Sequence, residues 1–281
     1  MVWGEKMKNR KQIASERRVA AQAKIAQGDR PKITGSNQKK MLATAAAYTA
    51  RHGKLCIAGA FNLPAVDACP GAGNCKSDCY ADQGRFKYRN VWIRRWVNWL
   101  GLGKTTLEIT RSLVQAIRAW YYANQTPHEC VYLLRIHDSG DFYSQRYVDA
   151  WEQALKTIQA EIEPNHEIVA YGYTKSLHLD LSGLLSTPGV RFVQSLGGRY
   201  DHLVDFRFGV SAIVPTDSEI TGDWVDANND PAWQDLAVIS NGTRQRIALR
   251  YHGAKRMSQQ WPATAQIDAG IVTNNLVQIG A

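Results

Sequence analysis

Short apolar runs alternate with helical patterns along most of the chain. Five runs rich in β-branched or aromatic residues read as buried strands, at residues 54–61, 130–137, 167–173, 190–196 and 208–214. Residues 144–160 repeat apolar side chains at helical spacing, and residues 176–189 form a shorter helical stretch. This repeated order predicts an α/β fold with a mostly parallel sheet, either open or curled into a full or partial (β/α) barrel, of which we expect the partial barrel.

Basic charge is concentrated at the start of the chain. The first forty residues carry eleven Lys or Arg and three acids, in a chain of 281 residues whose net charge is +9. They lack a clear apolar stripe, which predicts a basic N-terminal arm that is partly helical or disordered. A second basic run, from Arg85 to Lys104, is interleaved with aromatic residues and contains no acid. Because such segments suit phosphate contact and base stacking, DNA or RNA is a candidate partner of the arm, and a solvated extension is the alternative.

The sequence predicts neither a membrane span nor a secreted protein. No run of about 18 apolar residues is present, and the first thirty residues lack the apolar block of a signal peptide. We therefore expect a cytoplasmic protein without membrane contact. In that reducing compartment clustered cysteines are typical of metal or redox chemistry rather than of a disulfide framework.

Three of the five cysteines lie in a loop directly after the first predicted strand. Cys69, Cys75 and Cys79 have the spacing C-x5-C-x3-C in a segment rich in Gly and Pro. Thiolates bind iron–sulfur clusters and structural zinc, but structural zinc takes four protein ligands, usually as two separated pairs. The compact triplet favours an iron–sulfur cluster, with 4Fe-4S as the expected form. Zinc is the alternative metal, and Cys56 or Cys130 is then the candidate fourth ligand.

Polar or Gly-rich loops follow the other predicted strands, and the carboxyl ends of parallel strands converge at one edge of a sheet. These loops predict a ligand site formed by Asp138, Ser139, Gly140, Asp141, Tyr173, Thr174, Lys175, Gln194 and Ser195. The two aspartates can bond an amine or ribose hydroxyls, or they can cap the next helix. Lys175 can bind an anion.

The second predicted strand carries a charge. Alternation places Arg135 on one face, whereas Asp138 falls on the other face with Tyr132, Leu134 and Ile136. An unpaired buried charge is costly, so Arg135 requires a neighbouring carboxylate or an anionic ligand. We expect the nearby His137 to be a core histidine.

A loop with three thiolates after the first strand of a parallel α/β fold resembles the cluster loop of radical SAM enzymes. In those enzymes S-adenosylmethionine binds the iron that the protein leaves open. Both gaps between the cysteines are longer here than in the radical SAM spacing C-x3-C-x2-C.

Four ordered motifs resemble the phage gene product 88 family: FNLPAVDACPGAGNCKSDCYADQG, LRIHDSGDFYSQRYVDAW, YGYTKSL and QSLGGRYD. The resemblance covers roughly residues 34–255 and implies that Cys69, Cys75 and Cys79 hold the cluster. It also places residues 139–141 and 173–175 in the loops after the second and third strands. The chain is thereby divided into an arm (1–33), an α/β domain (34–255) and a C-terminal extension (256–281) of a phage protein in the host cell cytoplasm.

Two classes of function remain open, and with them the question whether the chain is an enzyme. The first is an iron–sulfur protein that resembles radical SAM enzymes and acts on nucleic acid or a nucleotide-derived substrate. S-adenosylmethionine is then a candidate ligand of residues 138–141, and Lys175, Gln194 and Ser195 line the substrate pocket. The second is a non-catalytic nucleic-acid-binding phage protein with a structural zinc or iron–sulfur site.

Overall fold

The computed structural model describes residues 9–34, 38–76, 79–214, 219–220, 224–227, 235–239, 246–250 and 271–272. The main elements are α1 (Arg10–Ala26), α2 (Gln38–His52), β1 (Leu55–Phe61), α3 (Arg89–Leu100), α4 (Thr106–Ala123), β2 (Cys130–Ile136), α5 (Gln145–Gln159), β3 (His166–Thr174), α6 (Ser182–Ser186), β4 (Val190–Ser195), β5 (Val210–Val214), β6 (Glu219–Ile220), β7 (Trp224–Asp226), β8 (Arg246–Arg250) and β9 (Ile271–Val272). Residues 235–239 are also helical. The five predicted strands correspond to β1 through β5, and the longer predicted helix corresponds to α5.

Seven strands form one parallel sheet in the order β1-β2-β3-β4-β5-β8-β7. Every neighbouring pair in it is parallel. The sheet is not closed into a barrel, so the prediction of an α/β fold with an open or partly curled parallel sheet is confirmed. β6 and β9 form a separate antiparallel pair.

One face of the sheet packs against the crossover helices α4, α5 and α6. Tyr132, Leu134 and Ile136 of β2 contact a cluster that includes Leu113 of α4 and Trp151 of α5. α4 begins with a capping box between Thr105 and Glu108, which satisfies exposed backbone N–H groups of its first turn. Crossover helices that share one face are the arrangement of a (β/α) barrel wall rather than of a doubly wound sheet.

The opposite face is covered by α2 and by residues 235–239. Val131 and Leu133 of β2 contact a cluster that includes Met41 of α2 together with Val238 and Ile239. An early segment and a late segment of the chain therefore fill the face on which a barrel would enclose its interior.

Much of the predicted arm is helical and packs on the body of the protein. Ala21 of α1 is fully buried against Ile93, Trp96 and Val97 of α3. The sequence concealed this contact because the buried face of α1 is made mainly of alanines, which give a weak apolar stripe. The division at residue 33 stays a prediction, and residues 256–281 lie outside the described residues except for β9.

Candidate functional site

The cysteine loop follows β1 and contains three short 3-10 turns, at Asn74–Lys76, Tyr80–Asp82 and Gly84–Lys87. Backbone hydrogen bonds attach it to loops that follow other strands. The N–H of Asp141 donates to the carbonyl of Ala68 at 3.0 Å, and the N–H of Arg199 donates to the carbonyl of Gly71 at 2.9 Å. The loops after β1, β2 and β4 therefore meet at the carboxyl edge of the sheet, as the sequence predicted.

Glycines let the cysteine loop lie directly against the backbone of its neighbours. A Cβ atom on Gly71 would collide with the carbonyl group of Lys175, and one on Gly73 would lie 2.8 Å from the carbonyl carbon of Gly198. Ala72 also forms an antiparallel bridge with Gly198. A side chain at either loop glycine would push the loop off the strand ends.

The thiols of the loop are partly buried and influence one another. Burial raises the pKa of Cys69, and Asp141, Cys79 and Cys75 raise it further. Burial also raises the pKa of Cys79. Among the residues that the structure describes, no three His, Cys, Asp or Glu side chains converge closely enough to form a metal site.

The two other cysteines lie at the far end of the sheet. Cys56 is the second residue of β1 and Cys130 the first of β2, whereas the loop begins after Phe61. Five residues of strand span about 16 Å. Cys56 and Cys130 also pack into the clusters on opposite faces of the sheet. Neither is therefore placed to be a fourth ligand of the loop. The rim offers three thiols whose chemistry suits an iron–sulfur cluster, although in the described residues they do not converge on one point.

Asp141 joins two strand-end loops. Its Oδ1 accepts hydrogen bonds from the N–H of Phe142 at 2.8 Å and from the Thr174 hydroxyl at 2.7 Å. Its Oδ2 accepts one from the N–H of Lys175 at 2.8 Å. Burial raises its pKa, although these three bonds oppose the shift. Asp141 is not the cap of α5, because that position belongs to Ser144, whose side chain makes no capping bond.

Asn62 holds the turn after β2 and was missed from the sequence. Its Oδ1 accepts hydrogen bonds from the N–H groups of Asp138 at 2.6 Å and Ser139 at 3.2 Å. The Ser139 hydroxyl donates to the carbonyl of Leu63 at 2.7 Å. Gly140 adopts a φ of 84° and leaves no room for a Cβ, which would lie 2.5 Å from that of Leu63. The sequence signal that could have identified Asn62 is its position in FNLP, directly after the first predicted strand.

Arg135 finds the carboxylate partners that its charge requires. Its Nη1 lies 3.2 Å from both carboxylate oxygens of Asp235, and its Nη2 lies 3.5 Å from Oδ1 of Asp138. Lys40 of α2 pairs with Asp235 at 3.2 Å, and the Tyr171 hydroxyl donates to the same carboxylate at 3.1 Å. We call these five residues the buried ionic cluster.

His137 explains why strand alternation misplaced Asp138. It adopts a φ of 68°, which ends the extended backbone and turns Asp138 toward Arg135. The Tyr80 hydroxyl, next to Cys79, also donates to the carbonyl and to Oδ1 of Asp138. Burial lowers the pKa of His137 to about 3, so the ring is neutral near pH 7.

His137 is a core residue, as expected from the sequence. Its Nε2 lies 2.9 Å from the hydroxyl oxygen of Tyr147, and its ring contacts Phe142.

The ends of β3 and β4 carry the remaining predicted site residues. The Lys175 ammonium donates to the hydroxyl of Ser195. Gln194 uses both ends of its amide to bind the backbone of Asp205, at 2.7 and 2.9 Å. The guanidinium of Arg135 lies 5.9 Å from the ring centre of Tyr173. Lys175 and Ser195 are thus brought together at the rim, whereas Gln194 fastens the loop that precedes β5.

The chain is similar to a known protein family. A family model described as gene product 88 matches residues 23–270. No curated protein and no solved structure matches the chain. In the part of the chain that the structure describes, no helix combines the length and the apolar character needed to cross a membrane.

Proposed function

The chain belongs to the gene product 88 family, and we propose that it is a phage-encoded iron–sulfur protein that resembles radical SAM enzymes and acts on nucleic acid or a nucleotide-derived substrate. Cys69, Cys75 and Cys79 would hold the cluster. The observation that supports this most directly is the position of their loop, which is bonded to strand-end loops at the carboxyl edge of a parallel sheet. Active sites of parallel α/β folds are built at this edge.

A four-iron cluster bound by three protein thiolates supplies one-electron chemistry and an iron open to an external ligand. The chain offers that ligand the ammonium of Lys175 and the hydroxyl of Ser195, which are paired beside the loop. Asp141 accepts a hydrogen bond from the N–H of Lys175 and so fixes the position of the Lys175 backbone. Both carboxylate oxygens of Asp141 are bonded to the protein. We therefore assign Asp141 a positioning role toward S-adenosylmethionine, and Lys175 a direct contact with its carboxylate.

The second candidate function is a non-catalytic nucleic-acid-binding protein with a structural zinc or iron–sulfur site. One observation favours it: several polar side chains at the strand ends bond to the protein itself. Asp141, Ser139 and Gln194 all bind neighbouring loops. Side chains engaged in this way stabilise a scaffold whether or not a reaction takes place on it.

Metal analysis of anaerobically purified protein tests the cluster. We expect iron, acid-labile sulfide and a brown colour, all lost when Cys69, Cys75 and Cys79 are changed to Ala. The matched control changes Cys56 and Cys130 to Ala and keeps the cluster, because both lie at the other end of the sheet. Stoichiometric zinc without sulfide would contradict the proposal and support the second function.

Consumption of S-adenosylmethionine by the loaded, reduced protein separates the two functions. We expect S-adenosylmethionine to be lost slowly, as measured by chromatography. In Lys175→Met the rate of loss should be lower, while the visible spectrum of the cluster is unchanged. A fully loaded protein that leaves S-adenosylmethionine intact would favour the non-catalytic function.

A further inference from the structure

Two segments that are rich in Lys and Arg lie side by side in the fold. Residues 9–30 contain six Lys or Arg and two acids, and residues 79–104 contain six Lys or Arg and one acid. Their combined excess of nine positive charges equals the net charge of the whole chain, which is +9. Because α1 packs against α3, these two segments are neighbours in the fold. The rest of the chain contains 22 Lys or Arg and 22 acids, so it carries no net charge.

Some of these cations are engaged within the protein. Arg94 pairs with Asp29 at 2.6 Å, and Arg10 pairs with Asp82 at 2.9 Å. Six of the other exposed basic side chains define what we call the basic surface, which comprises Lys11, Arg18, Lys24, Arg85, Lys87 and Arg89. None of these six forms an ion pair with a residue that the structure describes. An exposed set of unpaired cations of this kind attracts a polyanion.

A cleft opens within the basic surface, where the end of α1 meets the start of α3. Its volume is about 530 Å³, which is within the range of sites for small ligands. It is lined by Lys24, Asp29, Arg89, Asn90, Ile93 and Arg94. The Asp29 carboxylate in this lining is paired with Arg94 and Lys32, which leaves the ammonium of Lys24 and the guanidinium of Arg89 for an anion. These two cations, the Asn90 amide and the Ile93 side chain suit a nucleotide unit, which carries a phosphate, polar edges and a flat apolar face.

The tryptophans of the basic run are not available for stacking with a ligand. Trp96 is only 3% exposed, Trp99 packs against it, and the guanidinium of Arg17 lies over Trp92 at 5.5 Å. Tyr88 is different. It is 60% exposed and lies between Lys87 and Arg89 in the sequence, so an aromatic face is presented among cations.

We propose that the basic surface binds a single strand of nucleic acid. Lys87 and Arg89 contact its phosphates, a base stacks on Tyr88, and a neighbouring nucleotide unit enters the cleft. A duplex is excluded from this mode because its bases are already stacked on each other and cannot cover the tyrosine. DNA and RNA both present the phosphates and the base faces that this surface would contact.

The basic surface leads to the cysteine loop. Asp82, which binds Arg10, lies in the turn Tyr80–Asp82 directly after Cys79. A single strand of nucleic acid that is bound on the basic surface would therefore lie next to the candidate cluster. This inference rests on the nucleic-acid substrate of the proposed function and names the surface that holds it.

Fluorescence anisotropy with labelled 20-nucleotide single strands of DNA and RNA tests the phosphate contacts. We expect Lys87→Ala/Arg89→Ala to bind at least tenfold more weakly at low salt. The slope of log K against log salt should decrease by about 1.4, because each lost phosphate contact on a single strand removes about 0.7. The control Arg111→Ala/Arg146→Ala removes the same charge from exposed positions on α4 and α5 and should bind like the wild type.

Tyrosine variants test the stacking contact. Tyr88→Ala should weaken binding of both single strands by about fivefold or more, which is the usual effect of losing a base–aromatic stack. Tyr122, on α4, is 57% exposed and is the matched control, so Tyr122→Ala should leave affinity unchanged.

Three results would overturn the inference: equal losses in the two double variants, no loss in Tyr88→Ala, or tighter binding of duplex than of single strands. A preference for DNA or for RNA would support it and identify the source. Iron and sulfide measured on the same samples keep this inference apart from the proposed function. Binding without a cluster would reject the cluster alone, and a cluster without binding would reject the basic surface alone.

Discussion

Asp141 shows how one buried carboxylate organises the candidate site. Its three hydrogen bonds come from its own loop and from the loop after β3. The motif HDSGD indicated a loop with chemistry, but it did not show whether the carboxylate faces a ligand or the protein. That choice depends on Thr174 and Lys175, which lie more than thirty residues away, and local patterns carry no information on such contacts.

Replacing Asp141 should destabilise the fold. Asp141→Ala leaves three donors without their acceptor, and each unmet buried group costs roughly 1–3 kcal/mol, so we expect a loss of about 3 kcal/mol or more. Urea unfolding followed by circular dichroism measures it. Asp149→Ala, which removes a single bond from Gln145, should cost less than about 1 kcal/mol. Unchanged stability of Asp141→Ala together with lost binding of S-adenosylmethionine would instead show a direct ligand contact.

His137 should make the fold sensitive to acid. Burial lowers its pKa to about 3 in the folded protein, whereas an unfolded histidine titrates near 6.5. Between these values the unfolded state binds the extra proton, so stability is complete above about pH 6.5 and falls by up to about 1.4 kcal/mol per unit as the pH decreases.

Urea unfolding between pH 7 and pH 4.5 measures this dependence. His137→Asn is the suitable comparison, because asparagine tolerates the positive φ of this position and does not titrate. The wild type should lose stability more steeply than the variant below about pH 6.5. If the free energy of unfolding depended on pH in the same way in both proteins, His137 would bind its proton equally well in the folded and the unfolded state.

Elements with a strong pattern were predicted well from the sequence. α5 buries Tyr147, Trp151, Leu155 and Ile158, which form the stripe that predicted it. α1 was missed as a packed element because its buried face is alanine. The cover of the sheet by α2 and residues 235–239 was also missed, since no local pattern states which face of a sheet a distant helix will occupy.

The contact between the cysteine loop and the strand ends depends on Gly71. Gly71→Ala should detach the loop, because the added Cβ would collide with the rigid backbone of Lys175. We expect trypsin to cleave faster at the exposed Lys76, and mass spectrometry measures the rate of that cleavage. Gly183→Ala is the control, since its Cβ would meet only the flexible carboxylate of Glu152. Equal cleavage in both variants would show that the loop does not need this close contact.

One buried ionic contact joins parts of the chain that are far apart in the sequence. Lys40, Arg135 and Asp235 come from the beginning, the middle and the end of the described chain. The sequence required a partner for Arg135 and offered no means of choosing it among 25 acids. Five of the seven sheet strands and their parallel arrangement were nevertheless predictable, because they follow from apolar runs and intervening helices.

Removing one member of the buried ionic cluster should lower the free energy of unfolding more than replacing the Arg135–Asp235 pair by apolar side chains. Asp235→Ala leaves the buried Arg135 with only its longer contact to Asp138 and should lower the free energy of unfolding by about 3 kcal/mol. Arg135→Met/Asp235→Leu should recover most of that loss, because apolar side chains of similar size carry no desolvation penalty. Lys40 is 14% exposed and can turn to solvent. Thermal and urea unfolding of the three proteins would contradict this account if the double variant were the least stable.

The pairing of Arg135 with Asp235 also sets an order on synthesis. The two residues are 100 positions apart, so β2 and the adjoining Asp138 leave the ribosome long before Asp235 has been translated. Until then the guanidinium has no carboxylate from the 235–239 helix, and that face of β2 is better hydrated than buried. The crossover side of the sheet and the contact of α2 with the other face can form early, whereas residues 235–239 complete that face only after they have been synthesised. The sheet is therefore finished late, by a short segment that carries a counter-charge for a strand made 100 residues before it.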